Sequence, residues 1–126
     1  MPRILVIDDE VEIRSIVKHH LVKADYEVVE ASDGGEGIKK INEGDNSLRI
    51  DAVICDIRMP KINGTEAIAY FQEEYPNLPL IVMTGFPETE RAVSLLKQGV
   101  KDYLVKPVEK ETLLASVKKA VLERHP

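Results

Sequence analysis

The sequence predicts an open α/β fold: five strands in one parallel sheet, each followed by a helix, with helices on both faces. Three observations predict it. Short β-branched runs alternate five times with stretches of helical period. The first, third and fourth runs are apolar without a break, as strands covered on both faces require. Such alternation implies parallel strands joined by right-handed crossovers.

The five strand runs are Ile4-Leu5-Val6-Ile7, Glu27-Val28-Val29-Glu30-Ala31, Ala52-Val53-Ile54-Cys55, Leu80-Ile81-Val82-Met83 and Tyr103-Leu104-Val105. The second mixes apolar and polar residues and so belongs nearer a sheet edge. Between them, Ile13, Ile16, Val17, Leu21 and Ala24 share one helical face. Ile38 and Ile41 mark a shorter helix opened by Ser32-Asp33-Gly34. Ala67, Ile68 and Phe71 mark a third, ended before Pro76. Ala92, Val93, Leu95 and Leu96 mark a fourth, with Gly99 as its stop. Leu113, Leu114, Val117, Ala120 and Val121 mark the last. Residues 42–50 read as a polar loop open to insertion. Gly37, inside the second helix, costs about 1 kcal/mol in helix propensity.

The chain has 126 residues, which suits a single domain over 1–126. At that size roughly two thirds of the unfolded surface is buried on folding, so neither disulfide nor structural metal is needed. A single cysteine excludes an internal disulfide and a cysteine-rich zinc site. No apolar run approaches the ~20 residues of a membrane span. The first residues do not read as a signal peptide. The expected location is therefore cytoplasmic, without membrane contact. The net charge is −5, and no basic stripe is visible, so direct nucleic-acid binding is not expected.

In an open parallel sheet, ligands bind beyond the carboxyl ends of the strands. Asp8 and Asp9 follow the first run, Asp56 the third, Thr84 the fourth, and Lys106-Pro107 the fifth. In the flavodoxin-like order 2-1-3-4-5 these groups converge, and the switch point falls on Asp8, Asp9 and Asp56. Three close carboxylates repel one another or bind a cation. An all-oxygen set without His or Cys suits Mg²⁺, with Mn²⁺ as an acceptable substitute. Three carboxylates, one divalent cation and the Lys106 ammonium sum to zero formal charge. A carboxylate is also a competent nucleophile toward phosphorus. Lys106 and the Thr84 hydroxyl then suit the transferring oxygens.

Other features have plainer readings. Asp33-Gly34-Gly35-Glu36-Gly37 lacks the spacing of a phosphate loop and reads as a turn and helix start. His19 and His20 read as structural, and Cys55 as a small buried hydrophobe.

Four motifs in order carry a family resemblance: Val6-Ile7-Asp8-Asp9-Glu10; Cys55-Asp56-Ile57-Arg58-Met59-Pro60 with Gly64; Val82-Met83-Thr84-Gly85; and Asp102-Tyr103-Leu104-Val105-Lys106-Pro107. Over nearly its whole length the chain resembles the receiver domain of bacterial two-component response regulators. The resemblance implies that Asp56 accepts a phosphoryl group from the phosphohistidine of a sensor histidine kinase. It implies Mg²⁺ on Asp8, Asp9, Asp56 and the Arg58 backbone carbonyl. Thr84 and Lys106 would contact the phosphoryl oxygens, and Tyr103 would be the switch aromatic. A cis Lys106–Pro107 bond is a further expectation. The switching surface would be residues 88–97, Asp102–Val105 and residues 109–123. It would serve an output domain, a downstream protein or a phosphorylation-dependent homodimer. Arg58 and Phe86 would slow hydrolysis, and Gly85, where Ala or Ser is commoner, would loosen its loop.

Such a domain is a switch, not an enzyme beyond its own phosphorylation and dephosphorylation. The alternatives are an Asp-nucleophile, Mg²⁺-dependent phosphatase-like enzyme and a flavin binder. Asp56-Ile57-Arg58 lacks the second loop carboxylate of the first. The acidic cluster opposes the phosphate of the second. The chain itself reads either as a stand-alone regulator or as the N-terminal part of a longer one.

Overall fold

A computed structural model of the chain describes residues 1–57, 62–85, 94 and 98–125. Five strands form one parallel sheet: β1 (Arg3–Ile7), β2 (Glu27–Ala31), β3 (Ile50–Asp56), β4 (Leu80–Thr84) and β5 (Asp102–Val105). Their order is β2-β1-β3-β4-β5, the expected one, and all four pairings are parallel. The described helices are α1 (Val11–Lys23), α2 (Gly34–Ile41), α3 (Asn46–Arg49), α4 (Ile62–Glu74) and α5 (Lys110–Arg124).

Strand alternation splits the core into two layers. Leu5, Ile7, Val53, Cys55, Leu80 and Val82 face α2 and α4, where they meet Ile41, Ile68 and Phe71. Ile4, Val6, Ala52, Ile54, Ile81 and Met83 face α1 and α5, where they meet Val17, Leu21, Leu113 and Val117. Every residue of β3 and β4 is buried, whereas β2 is half-buried over four of its five positions. That is the edge character its mixed sequence foretold.

Helix ends follow local chemistry. Asp33 caps α2, its carboxylate accepting from the Glu36 N–H at 2.8 Å. The Glu36 carboxylate reaches back to the Ser32 N–H at 3.1 Å, so the Gly-rich stretch is a helix start. Gly99, at φ 101°, adopts a backbone that L side chains resist. The Lys106–Pro107 bond is cis.

Three readings change. Ile16 is half exposed, while Val17 and Leu21 are buried and Ile13 packs partly buried in line with them, four residues apart along α1. Residues 42–50 are not a plain loop. They hold the short helix α3, tied down by Arg3, whose guanidinium donates to Glu27 (2.9 Å), Asp45 (3.0 Å) and Asn46 (2.9 Å). Gly37 has a packing reason: a Cβ there would run into Ile7 Cδ1 and come within 3.0 Å of its Cγ1. The expected fourth helix over Ala92, Val93, Leu95 and Leu96 lies outside the described residues.

Candidate functional site

Parallel strands deliver their last residues to one edge. Asp56 is the final residue of β3, Thr84 of β4, and Asp8 and Asp9 follow β1 directly. Register aligns them: Ile7 lies opposite Cys55, Asp56 opposite Met83, and Thr84 opposite Val105. The edge continues in the connecting backbone. Lys106 N–H donates to the Thr84 carbonyl at 2.7 Å, and Ile57 N–H to the Met83 carbonyl at 2.8 Å.

One oxygen from each of Asp8, Asp9 and Asp56 lies within 4.8 Å of the others. Asp8 and Asp56 are buried and Asp9 half-buried. Lys106 reaches into this cluster. Its Nζ is 2.9 Å from Asp8 Oδ2, 3.3 Å from Asp56 Oδ1 and 2.8 Å from Glu10 Oε1. Burial alone would pull the Lys106 ammonium down. Its contacts with Glu10 and Asp8, with the charge of Asp56, outweigh that and hold its pKa above the ordinary lysine value. Lys106 therefore stays charged across the neutral pH range.

Asp8 is fixed on every side. Its backbone N–H donates to the Ala31 carbonyl at 3.0 Å, and its Oδ1 accepts from the Glu10 N–H at 2.8 Å. Its carbonyl accepts from Arg14 Nη1 at 2.6 Å, and Arg14 is steadied by Glu30 at 3.2 Å. Thr84 is buried at the end of β4. Tyr103 packs partly buried against the α2/α4 core layer. Its hydroxyl is buried and has no hydrogen-bond partner among the described residues.

Cys55 points to the opposite layer from the acidic edge, as alternation requires. Burial first, then the charges of Asp56 and Asp8, push its thiol up to about 12. His19 is exposed and His20 half-buried on α1, away from these carboxylates in the chain. Arg58, with its backbone carbonyl, and Phe86 lie outside the described residues.

The donor set fits a hard divalent cation. It is all oxygen, its members carry like charge at close range, and two of the three are buried. The same edge places a carboxylate, an ammonium and a buried hydroxyl-bearing residue on three neighbouring strands. That set suits phosphoryl transfer to a carboxylate.

Residues 4–118 match the family model described as the response regulator receiver domain. The chain belongs to this family. The chemotaxis protein CheY of Listeria monocytogenes is 33% identical over 121 residues, covering 95% of this chain and 98% of its own length. The transcriptional regulatory protein ZraR of Escherichia coli is 32% identical over 122 residues, 97% of this chain and 27% of ZraR. The crystal structure of a receiver domain protein from Clostridium thermocellum matches with TM-score 0.90 and 33% identity, covering 99% of this chain and 98% of that one. This chain is thus a receiver of two-component signalling with the flavodoxin-like fold. The phosphatase-like alternative finds no support in these relatives.

Sequence reasoning missed one participant. Glu10 stood in the first motif without a role, yet it makes the shortest of the three contacts to Lys106. The available signal was its place, two residues after Asp8, where a turn brings a side chain back to the edge. Asp51 was also passed over. It is buried at the start of β3, where it accepts from the Arg3 N–H at 3.3 Å and lies 2.6 Å from His125 Nε2.

Proposed function

We propose that Asp56 is the phosphoryl acceptor of this receiver and that Asp8, Asp9 and Asp56 hold Mg²⁺. The observation that carries the reading is Lys106. It is a buried ammonium within 3.3 Å of Asp56 Oδ1, beside two further carboxylates at the strand edge. In the transfer, an Asp56 carboxylate oxygen bonds to phosphorus as the phosphorus–nitrogen bond of a phosphohistidine breaks. The electron pair leaves on the imidazole nitrogen, which takes up a proton. When bound, Mg²⁺ supplies positive charge for the carboxylates and the phosphoryl oxygens. Lys106 offers a donor to one phosphoryl oxygen, and Thr84 a hydroxyl to another.

The product carries near −2 charge beside Thr84 and Lys106. Its output is a shift between two conformations of one chain. Tyr103 is the aromatic of that switch. The surface that responds comprises β5, α5 and residues 88–97, and it serves an output domain, a separate protein or a second copy. The donor is a sensor histidine kinase. No helix among the described residues is long and apolar enough to cross a membrane, which accords with a cytoplasmic location. The chain acts as one receiver unit over 1–126, with no catalysis beyond its own phosphorylation and dephosphorylation.

The test is direct. With Mg²⁺ and acetyl phosphate, wild type should gain one phosphoryl group by intact mass, and Asp56→Asn none. Labelling that survives the substitution would assign the acceptor elsewhere.

A further inference from the structure

We infer that Glu10 restrains Lys106 in the resting state and must release it before Lys106 can engage a phosphoryl group on Asp56. The inference rests on Asp56 being the acceptor. An ammonium has three N–H donors. Among the described residues, the hydrogen bond that Lys106 donates goes to Glu10 Oε1 at 2.8 Å, whereas its contacts with Asp8 Oδ2 at 2.9 Å and Asp56 Oδ1 at 3.3 Å are ion pairs. The two shorter contacts both go to the segment after β1, and the contact to the acceptor is the longest. The ammonium is therefore aimed at Glu10, and it must turn from Glu10 to aim that donor at an oxygen carried on Asp56. Asp8 and Asp56 belong to the carboxylate trio, and Asp8 is further held by the Glu10 N–H at 2.8 Å. Glu10 lies outside the trio, and its side chain is 43% exposed. Its carboxylate is thus the partner that water replaces at least cost.

Local structure shows what Glu10 does not do. It occupies the N-cap position of α1 with extended backbone, yet its side chain makes no capping hydrogen bond. The residues that cap well there are Ser, Thr, Asp and Asn, and Glu10 is none of these. Glu10 instead reaches across to residue 106. Charge acts in the same direction as geometry. A fourth carboxylate next to the cluster adds one more negative charge where the phosphoryl group brings nearly two. Both effects set the resting state against phosphorylation, so Glu10 raises the threshold of the switch.

The experiment uses beryllofluoride with Mg²⁺ as the phosphoryl probe, on the full chain, read by titration calorimetry. Glu10→Ala and the size-preserving Glu10→Gln should bind it at least about 1.5-fold and up to about fivefold more tightly than wild type, the worth of one exposed ion pair. The difference should shrink at high salt, because the contact is exposed. A second arm needs no metal. In Mg²⁺-free protein the Lys106 side-chain Cε resonance should move on Glu10→Gln. A gain below about 1.5-fold, any weakening, or an unmoved Lys106 signal overturns the inference. Weakening would make Glu10 a residue that presents Lys106 rather than one that restrains it. Failure of the acceptor reading looks different: wild type would not bind the probe, or Asp56→Asn would bind it equally well.

Discussion

Lys106 and Cys55 stand on either side of the same strand edge, and their surroundings push their chemistry in opposite directions. Lys106 sits among carboxylates that keep it charged. Cys55, one residue before Asp56, faces the apolar layer and is kept neutral, its thiol pushed up to about 12 by burial and by Asp56 and Asp8. The reactive form of cysteine is the thiolate. Folded protein at pH 8 should therefore resist thiol reagents and react fully in denaturant, as a colorimetric thiol assay would show. Rapid labelling of the native state would contradict this burial. The sign of the stability effect follows from the raised value. The contribution is intact below the ordinary thiol value of 9.0, and it is lost as pH rises toward 12. Both residues were singled out from sequence. Glu10 was not given a role, because its partner lies ninety-six positions away and only the fold brings them together.

At the scale of elements, α2 shows how packing overrides propensity. Gly37 weakens the helix by about 1 kcal/mol relative to Ala. Its missing Cβ, however, is what lets the helix lie against Ile7. Overpacking a core costs about 1–3 kcal/mol, so Gly37→Ala should destabilise the protein by about 1 kcal/mol net in urea unfolding. In an Ile7→Val background, which removes the offending Cδ1, the same change should be neutral or favourable. Stabilisation in the wild-type background would show that Ile7 moves aside freely. The short helix α3 follows the same logic. Residues 42–50 carry few apolar anchors, so the local pattern read as loop. Arg3, more than forty positions away in the chain, orders them by gripping Asp45 and Asn46. Ile16 gave the converse error: at about 100° per residue it lies at the margin of the apolar face, and it stays exposed.

Across the whole molecule, the sheet divides labour between its edges. The carboxyl edge gathers Asp8, Asp9, Asp56, Thr84 and Lys106. The opposite edge gathers Asp51, Arg124 and His125, with Arg124 Nη1 also donating to the Asn77 carbonyl at 3.1 Å. That second edge fastens the end of α5 to the start of β3. The first edge concentrates like charge and should therefore be the labile one. A divalent cation that binds only the folded chain stabilises it by mass action, about 2.7 kcal/mol at one hundred times its Kd. Thermal unfolding should shift upward with Mg²⁺ in wild type and much less in Asp9→Asn. A melting temperature indifferent to Mg²⁺ would count against the cluster as a cation site.

The sequence by itself determined the fold class and the set of groups at the carboxyl edge. Those depend on local, repeated signals: apolar runs of strand length, helical period, and a polar residue at each strand's end. Tertiary structure alone decided which contacts those groups make. It set Lys106 between Glu10, Asp8 and Asp56, and it packed Gly37 against Ile7. These depend on distances between segments far apart in the chain, and side-chain order along the sequence carries no measure of such distances.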